Sequence, residues 1–260
     1  MHIDKSKVDK VILITGAGSG MGQLAAQNFS KQGAKVAALD VNADGLATTA
    51  EGFEGIKTWQ LDITDFDAVN QVVAQIVAEL GPIDSVYNAA AIMPFGKLTD
   101  QANAVQHKIM HINYGGLVNI AQATLPAMVA RGEGDFISFA SSAALIPTML
   151  TGAYSASKAA VALYTEILYH ENINSGLRFA CVCPIVVKTP LLQQARDTVW
   201  PKMLDSGAPM QAQEVLDEID DCLKKGKFWV YAGKGAQMGA RMRRFFPSLI
   251  WQQVHKTEGF

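Results

Sequence analysis

The chain has 260 residues, 49% of them hydrophobic and 18% charged, and its formal net charge is −2. This balance gives no indication of a nucleic-acid partner, and no apolar run reaches the length of a membrane span. Residues 1–7 are polar and lack the apolar core of a signal peptide, so we expect a soluble, cytoplasmic protein. The high apolar share favours a parallel sheet buried on both faces, large subunit interfaces, or both.

The three cysteines are too few for a disulfide framework. Cys181 and Cys183 alternate within an apolar run, so they would share one face of a strand. Buried thiols are favoured there over metal ligands, because no nearby histidine or cysteine completes a ligand set. The sequence therefore predicts no metal site.

Short apolar runs alternate with amphipathic segments along the chain. The apolar runs predict strands at residues 11–14, 35–40, 58–62, 84–90, 135–140, 177–183 and 228–231. Apolar residues at helical spacing predict helices at 21–32, 67–80, 103–131 and 154–172. This alternation without a linker predicts one doubly wound α/β domain over residues 1–260, with a seven-stranded parallel sheet and helices on both faces.

Two segments fit this core pattern poorly. Residues 190–214 contain Trp200-Pro201 and follow the sixth strand, so we expect a substrate flap over the ligand crevice. Residues 236–260 place Arg241, Arg243 and Arg244 beside aromatic residues. We favour packing of this tail on a neighbouring subunit or over a substrate pocket, with contact to a membrane surface as the alternative.

A glycine-rich loop follows the first strand and opens the first helix, which is the context of a dinucleotide-binding loop. Gly16 would permit a tight turn, Gly20 would let a pyrophosphate approach the backbone, and Gly22 would let the helix pack closely on the sheet. The helix N-terminus would supply free N–H groups to the phosphates. The loop residues that we predict to contact the cofactor are Gly16, Ser19, Gly20, Met21 and Gly22.

Asp40 ends the second strand, eighteen residues beyond Gly22. A carboxylate at this position accepts hydrogen bonds from the adenosine ribose and repels a 2′-phosphate. Position 19 of the loop is serine, and the loop has no arginine or lysine that could bind a 2′-phosphate. The sequence therefore predicts NAD rather than NADP, with a solvated acid at the strand end as the alternative interpretation of Asp40.

Tyr154 and Lys158 lie one helical turn apart, and Ser141 precedes the tyrosine by thirteen residues. A nearby ammonium would lower the pKa of the tyrosine, so that its hydroxyl exchanges a proton with a substrate oxygen. Ser141 would hydrogen-bond the same oxygen. A surface lysine beside a half-buried tyrosine is the alternative, and the glycine loop upstream argues against it.

From Lys10 to about Leu192 the chain resembles the short-chain dehydrogenase/reductase family, which implies a Rossmann-type fold and a nicotinamide cofactor bound at the glycine-rich loop. The resemblance implies catalytic roles for Asn113, Ser141, Tyr154 and Lys158, with Asn113 bending its helix to hold a water of a proton relay. It further implies homodimers or homotetramers formed through helices 103–131 and 154–172. The cofactor contacts that it implies outside the loop are Asp62, Ile63, Asn88, Tyr154, Lys158, Val187 and Thr189.

The chain departs from the family pattern at three positions. Ala89 and Ala91 replace an asparagine and a glycine after the fourth strand, and alanine at position 91 would cost about 1 kcal/mol if that site needed a positive φ. Ile185 replaces the glycine usual after Pro184. These changes affect the expected shape of the cofactor site and leave the catalytic groups in place.

We expect hydride transfer between nicotinamide and a hydrophobic secondary alcohol or ketone, such as a steroid, a terpenoid or an aliphatic chain. A 3-oxoacyl thioester is a second substrate class, and a non-catalytic NAD-binding sensor or interaction protein is the alternative of a different kind. The complete catalytic set argues against the sensor. The substrate pocket is expected to be lined by apolar residues, any of which could instead pack in the core or flap: Ala143, Leu145, Pro147, Met149, Ile185, Leu191, Leu192, Trp200 and Met203.

Overall fold

One sheet of seven parallel strands forms the centre of the protein. The computed structural model describes residues 7–146, 148–205 and 207–259. The strands are β1 (Val11–Thr15), β2 (Lys35–Asp40), β3 (Ile56–Gln60), β4 (Ile83–Asn88), β5 (Gly134–Phe139), β6 (Leu177–Val182) and β7 (Trp229–Val230). Their order in the sheet is β3-β2-β1-β4-β5-β6-β7. The predicted doubly wound Rossmann-type fold is confirmed.

Helices cover both faces of this sheet. They are α1 (Gly20–Lys31), α2 (Ala43–Ala50), α3 (Phe66–Leu80), α4 (Asn103–Met110), α5 (Gly116–Arg131), α6 (Gly152–Glu171), α7 (Pro190–Arg196), α8 (Ala212–Lys224), α9 (Ala236–Phe245) and α10 (Pro247–Glu258). Because side chains alternate along a strand, Val11 and Leu13 face a core formed with α3, α5 and α6, whereas Ile12 and Ile14 face a core formed with α1, α2 and α8. Among the described residues, no helix is both long and apolar enough to cross a membrane.

Several element boundaries differ from the sequence prediction. β3 ends at Gln60, because the side chain of Asp62 accepts hydrogen bonds from Thr64 N and Oγ1 and turns the chain. The helix predicted over 103–131 is interrupted by a π-helical turn, His111–Gly115, that separates α4 from α5. Asn113, where the family resemblance implied a bend, lies within this turn, and the bend itself stays a prediction.

The predicted flap contains more regular structure than its sequence suggested. It begins with α7, continues into a 3-10 turn (Lys202–Asp205), and its last residues enter α8. The four apolar residues of α8 that pack on the sheet have clear helical spacing, which the sequence prediction overlooked: Val215, Leu216, Ile219 and Leu223.

The tail folds into α9 and α10, neither of which was predicted. Val254 on α10 is fully buried, and α10 packs against the 3-10 turn of the flap. Phe245, Phe246 and Leu249 at the α9–α10 corner are exposed. The tail therefore packs partly against the 3-10 turn of the flap, and packing on a neighbouring subunit or over a substrate pocket stays a prediction.

The topology places the site. The strand order reverses between β1 and β4, so the loops after these two strands diverge and leave a crevice at the carboxyl edge of the sheet. The glycine-rich loop, the segment after β4 and the residues after β5 and β6 all open onto this edge.

Candidate active site

The loop between β1 and α1 requires glycine at two positions for reasons of space. Gly16 has φ +67°, and a Cβ there would lie 2.8 Å from the backbone N and Cα of Ala90. A Cβ on Gly22 would lie 2.2 Å from the carbonyl oxygen of Gly16. Ser19 is the N-cap residue of α1 and has an extended backbone, but its side chain makes no capping hydrogen bond. The first N–H groups of α1 are therefore available to bind an anion.

A cavity of about 530 Å³ lies between this loop, the ends of β2 and β3, and the segment after β4. It reaches Asp40, whose Oδ2 accepts a hydrogen bond from Gly18 N at 2.9 Å and whose Oδ1 accepts one from Asn42 N at 2.9 Å. The residues that were predicted to contact the cofactor and that line this cavity are Gly16, Ser19, Gly20, Met21, Gly22, Asp40, Asp62, Ile63 and Thr189.

Asn88 lies outside that lining. It is buried, and its Oδ1 accepts a hydrogen bond of 2.8 Å from Thr15 Oγ1. Thr15 Oγ1 in turn accepts a hydrogen bond from Ala90 N at 3.2 Å. Asn88 therefore joins β4 to β1 and fixes the segment that follows β4, which borders the cavity through Ala89 and Ala91.

The alanine at position 91 is unstrained. Among the described residues other than glycine, positive φ angles occur at Asp9 and Leu150 only. Ala91 does not have a positive φ, so the cost of about 1 kcal/mol that such a conformation would carry for alanine does not apply.

A second, smaller cavity of about 90 Å³ adjoins the first. The two share five lining residues, which mark their junction: Met21, Ala89, Ala91, Thr189 and Leu191. The second cavity contains Ser141, Tyr154 and Lys158, and Val187 lines it rather than the larger cavity. Because three of the predicted catalytic residues lie in it, we call it the catalytic cavity. The residues predicted for the substrate pocket that line it are Ala143, Ile185, Leu191, Leu192 and Trp200.

Other predicted pocket residues lie elsewhere. Leu145 borders a separate groove between α6 and α9. Met149 and Met203 do not line the catalytic cavity, and Leu204 lines it instead of Met203. Pro147 falls outside the described residues. Ile185, in place of the family glycine, packs against Gly233, where a Cβ would lie 2.6 Å from its side chain.

Tyr154 and Lys158 face the catalytic cavity from α6, and both are buried, at 6% and 3% exposure. Lys158 Nζ donates a hydrogen bond of 2.6 Å to Phe139 O and lies 5.9 Å from the centroid of the Tyr154 ring. Phe95 packs edge-on against Tyr154 with centroids 5.9 Å apart. Ser141 accepts a hydrogen bond from Ala143 N at 3.1 Å, which leaves its hydroxyl proton for Tyr154 or a ligand.

Burial dominates the ionisation of this pair. It raises the pKa of Tyr154 to about 12, although a hydrogen bond with Ser141 lowers it in part. Burial also lowers the pKa of Lys158 to about 8. The expectation that Lys158 depresses the pKa of Tyr154 is therefore wrong for the protein by itself, because loss of solvent outweighs any stabilisation of the phenolate.

Comparison with known proteins now bears on identity. A family model described as short chain dehydrogenase matches residues 10–200. The chain belongs to the short-chain dehydrogenase family. Dehydrogenase/reductase SDR family member 6 of Rattus norvegicus is 35% identical over 192 residues, covering 72% of this chain and 76% of the relative. Epidermal retinol dehydrogenase 2 of Homo sapiens is 27% identical over 251 residues, covering 94% of this chain and 80% of the relative.

Solved structures agree on the fold of this short-chain dehydrogenase. A short chain dehydrogenase/reductase from Burkholderia phymatum, crystallised in complex with NAD, superposes with a TM-score of 0.84 at 23% identity. The match covers 96% of each chain. The resemblance noted from the sequence motifs is thus confirmed for the family and the fold.

Asn113 lies in the middle of the π-helical turn and is buried. Its Nδ2 donates to Ile92 O and to Ser157 Oγ, each at 3.0 Å, and its Oδ1 accepts from Ile92 N at 2.9 Å. The side chain thus ties the segment after β4 to α6, one residue before Lys158. Its part in a proton relay stays a prediction.

Several residues that line the site of this short-chain dehydrogenase were missed by the sequence analysis. Lys108 and Gln194 line the larger cavity, and Met93 and Phe95 line the catalytic one. Gln194 Oε1 accepts a hydrogen bond from Met93 N at 2.7 Å. Met93 and Phe95 fall within residues 91–102, which have no strand or helix periodicity, so the sequence carried no signal for them. The contact between Met93 and Gln194 joins residues that are 101 positions apart in the sequence.

Cys181 and Cys183 are fully buried, as expected of core thiols. A hydrogen bond with Cys183 and burial raise the pKa of the Cys181 thiol well above its usual range, so Cys181 stays neutral.

Proposed function

We propose that this short-chain dehydrogenase is an NAD-dependent oxidoreductase that transfers hydride between nicotinamide and a hydrophobic secondary alcohol or ketone. One observation carries the proposal. The hydroxyl of Tyr154, with Ser141 and Lys158 beside it, lies in an apolar cavity that joins directly onto the cavity of the glycine-rich loop. A ligand with two parts, one in each cavity, would meet the proton-exchanging group at the junction.

The residues of the larger cavity fit a dinucleotide. The crowded contacts of Gly16 and Gly22 hold the loop close to the sheet, and the start of α1 offers unpaired N–H groups to a pyrophosphate. Asp62 and Ile63 would hold the adenine end, and Val187 and Thr189 lie beside the catalytic cavity, where the carboxamide would bind. When bound, the nicotinamide would accept or supply the hydride.

Asp40 supports NAD over NADP. Its carboxylate lines the larger cavity and is fixed by the N–H groups of Gly18 and Asn42. It would accept hydrogen bonds from ribose hydroxyls and repel a 2′-phosphate. The Burkholderia phymatum structure in complex with NAD is consistent with this choice.

Tyr154 would exchange the proton with the substrate oxygen. With a pKa of about 12 it carries its proton at neutral pH, which is the form that protonates the oxygen during ketone reduction. Alcohol oxidation needs the phenolate, so oxidation should accelerate as the pH rises. Ser141 would orient the oxygen, and Lys158, with a pKa of about 8, is largely charged at neutral pH and would stabilise negative charge on that oxygen.

The substrate class follows from the lining of the catalytic cavity. Its side chains are mostly apolar, and the ring centroids of Phe95 and Trp200 lie 6.2 Å apart in its lining. The similarity to human epidermal retinol dehydrogenase 2 supports a hydrophobic alcohol, and a 3-oxoacyl thioester is the second candidate.

We also propose a homodimer or homotetramer formed through α5 and α6. Leu163 and Ile167 stand one turn apart on α6 and are 59% and 48% exposed. Such an apolar stripe on the face of a helix is typical of a subunit interface. Light scattering of the purified protein would test this, and a Leu163→Glu variant should shift the mass towards the monomer.

The test of the reaction is a panel of hydrophobic secondary alcohols, ketones and a 3-oxoacyl thioester, assayed with NAD(H) and NADP(H) by the absorbance of the reduced cofactor. Turnover with a secondary alcohol or its ketone and NAD(H) supports the proposal. Binding of NADH without turnover of any panel member would count against it and favour a non-catalytic NAD-binding protein.

A further inference from the structure

The catalytic cavity is closed on one side by the flap. Leu191, Leu192, Trp200 and Leu204 of the flap all line it. The volume of this cavity is about 90 Å³, whereas pockets for drug-sized ligands measure about 300–1,000 Å³. The cavity is therefore small for a steroid or a long-chain alcohol, and outward movement of the flap would enlarge it. The position of the flap decides which substrates enter.

Two contacts tie the flap to the segment after β4. Gln194 accepts a hydrogen bond from Met93 N at 2.7 Å, and Thr198 Oγ1 accepts one from Phe95 N at 3.0 Å. Both contacts lie in the first half of the flap. The 3-10 turn (Lys202–Asp205), which carries Leu204, lies beyond them.

A carboxylate from the tail holds that turn. Glu258 Oε1 accepts a hydrogen bond from Met203 N at 2.8 Å, and its Oε2 accepts one from Lys202 N at 3.2 Å. The first N–H groups of a helical turn have no partner within the turn, so an acid that binds two of them stabilises its position. Glu258 joins the end of the chain to the wall of the catalytic cavity.

Burial of Val254 holds α10 against the rest of the protein, so Glu258 has a defined position. Val254, one turn before Glu258, is fully buried, and α10 ends directly after Glu258 at Gly259, which has φ +89°. The match to the family model ends at residue 200, so this contact lies beyond the matched part of the chain.

We propose that Glu258 is a positioning residue that holds the flap closed and thereby sets the upper size of substrate that the catalytic cavity admits. The proposal rests on the proposed function. It assigns to the tail a role in substrate selection, exerted through hydrogen bonds to the backbone of the two residues that directly precede Leu204 in the cavity wall.

The experiment compares wild type, Glu258→Ala, Glu258→Gln and the control Gln253→Ala. Gln253 is exposed on α10 and binds Thr257 within the same helix, so its removal perturbs α10 without touching the flap. The kcat/KM of each protein is measured for secondary alcohols of increasing length. We expect Glu258→Ala to raise the ratio of long-chain to short-chain kcat/KM about tenfold, because a paired carboxylate is removed. Glu258→Gln keeps one acceptor oxygen and should give an intermediate ratio.

Hydrogen exchange of a peptide containing Lys202 and Met203 gives a second measurement that needs no turnover. Exchange should be faster in Glu258→Ala than in wild type and unchanged in Gln253→Ala. An unchanged chain-length ratio, or unchanged exchange at these two amides, would overturn the proposal. If wild type turned over no alcohol while exchange accelerated in Glu258→Ala, the proposed reaction would fail and the hold of Glu258 on the flap would stand.

Discussion

Cofactor choice is the prediction that the structure defines most sharply, and Asp40→Asn isolates it. The two carboxylate oxygens of Asp40 accept hydrogen bonds from Gly18 N and Asn42 N, both at 2.9 Å. Asparagine has nearly the same shape and keeps one acceptor oxygen for Gly18 N, while the N–H of Asn42, which is exposed, can bind water instead. The principal change is the loss of one negative charge at the end of β2.

The magnitude follows from the repulsion between this charge and a 2′-phosphate. Two unit charges about 4 Å apart interact by about 1 kcal/mol in water and about 4 kcal/mol at an effective dielectric constant of about 20. Asp40 is half-buried, which places it between these limits. We expect Asp40→Asn to improve NADP use relative to NAD by about 2 kcal/mol, or about thirtyfold in the ratio of kcat/KM values.

The assay measures kcat/KM for NAD⁺ and NADP⁺ at saturating alcohol and at two salt concentrations. Asp62→Asn is the matched control, since Asp62 lines the same cavity but would lie at the adenine end. It should leave the NADP⁺/NAD⁺ ratio near its wild-type value. A wild type that prefers NADP⁺, or an unchanged ratio in Asp40→Asn, would refute the electrostatic reasoning.

Two further predictions concern the ionisation of the site. A hydrogen bond from Ser141 lowers the pKa of Tyr154, so Ser141→Ala should shift the pH profile of alcohol oxidation to higher pH. Ser142→Ala, in the same cavity, should leave the profile unchanged. Coincident profiles for Ser141→Ala and wild type would contradict this prediction. Burial lowers the pKa of Lys158 from 10.5 to about 8, so the unfolded chain binds more protons between these two values and stability rises with pH across that window. Denaturant titrations should therefore show the free energy of unfolding of wild type rising relative to Lys158→Met from pH 8 to 10.5, and parallel curves would exclude a buried lysine of lowered pKa.

Much of the fold could be predicted because its signals are local. Strands buried on both faces, such as Val11–Thr15, appear as continuous apolar runs, and the glycine loop occurs where a strand meets a helix. Among the elements that were missed, α8 carries such a signal in its helical spacing, whereas α7 and α10 are short or depend on tertiary contacts. α7 has seven residues, and α10 is fixed by burial of Val254 and by the flap.

The site residues could be predicted where they belong to a sequence motif, and could not be predicted where tertiary packing alone brings them into the site. Tyr154, Lys158 and Ser141 are brought into one cavity, as their spacing implied. The direction of the pKa shift of Tyr154 was wrong, because no sequence pattern reveals how completely the hydroxyl is buried. Glu258 lies more than fifty residues from the turn that it holds, and no periodicity joins them.

The central claim is that Tyr154 exchanges the substrate proton in a site assembled for NAD-dependent hydride transfer. Tyr154→Phe tests it most directly, because it removes one hydroxyl and keeps the ring that packs on Phe95. Turnover of the best secondary alcohol with NAD⁺ and binding of NADH by calorimetry are measured side by side with wild type. We expect Tyr154→Phe to lose at least about a hundredfold in kcat with its NADH affinity nearly unchanged. Turnover by Tyr154→Phe close to that of wild type would contradict it.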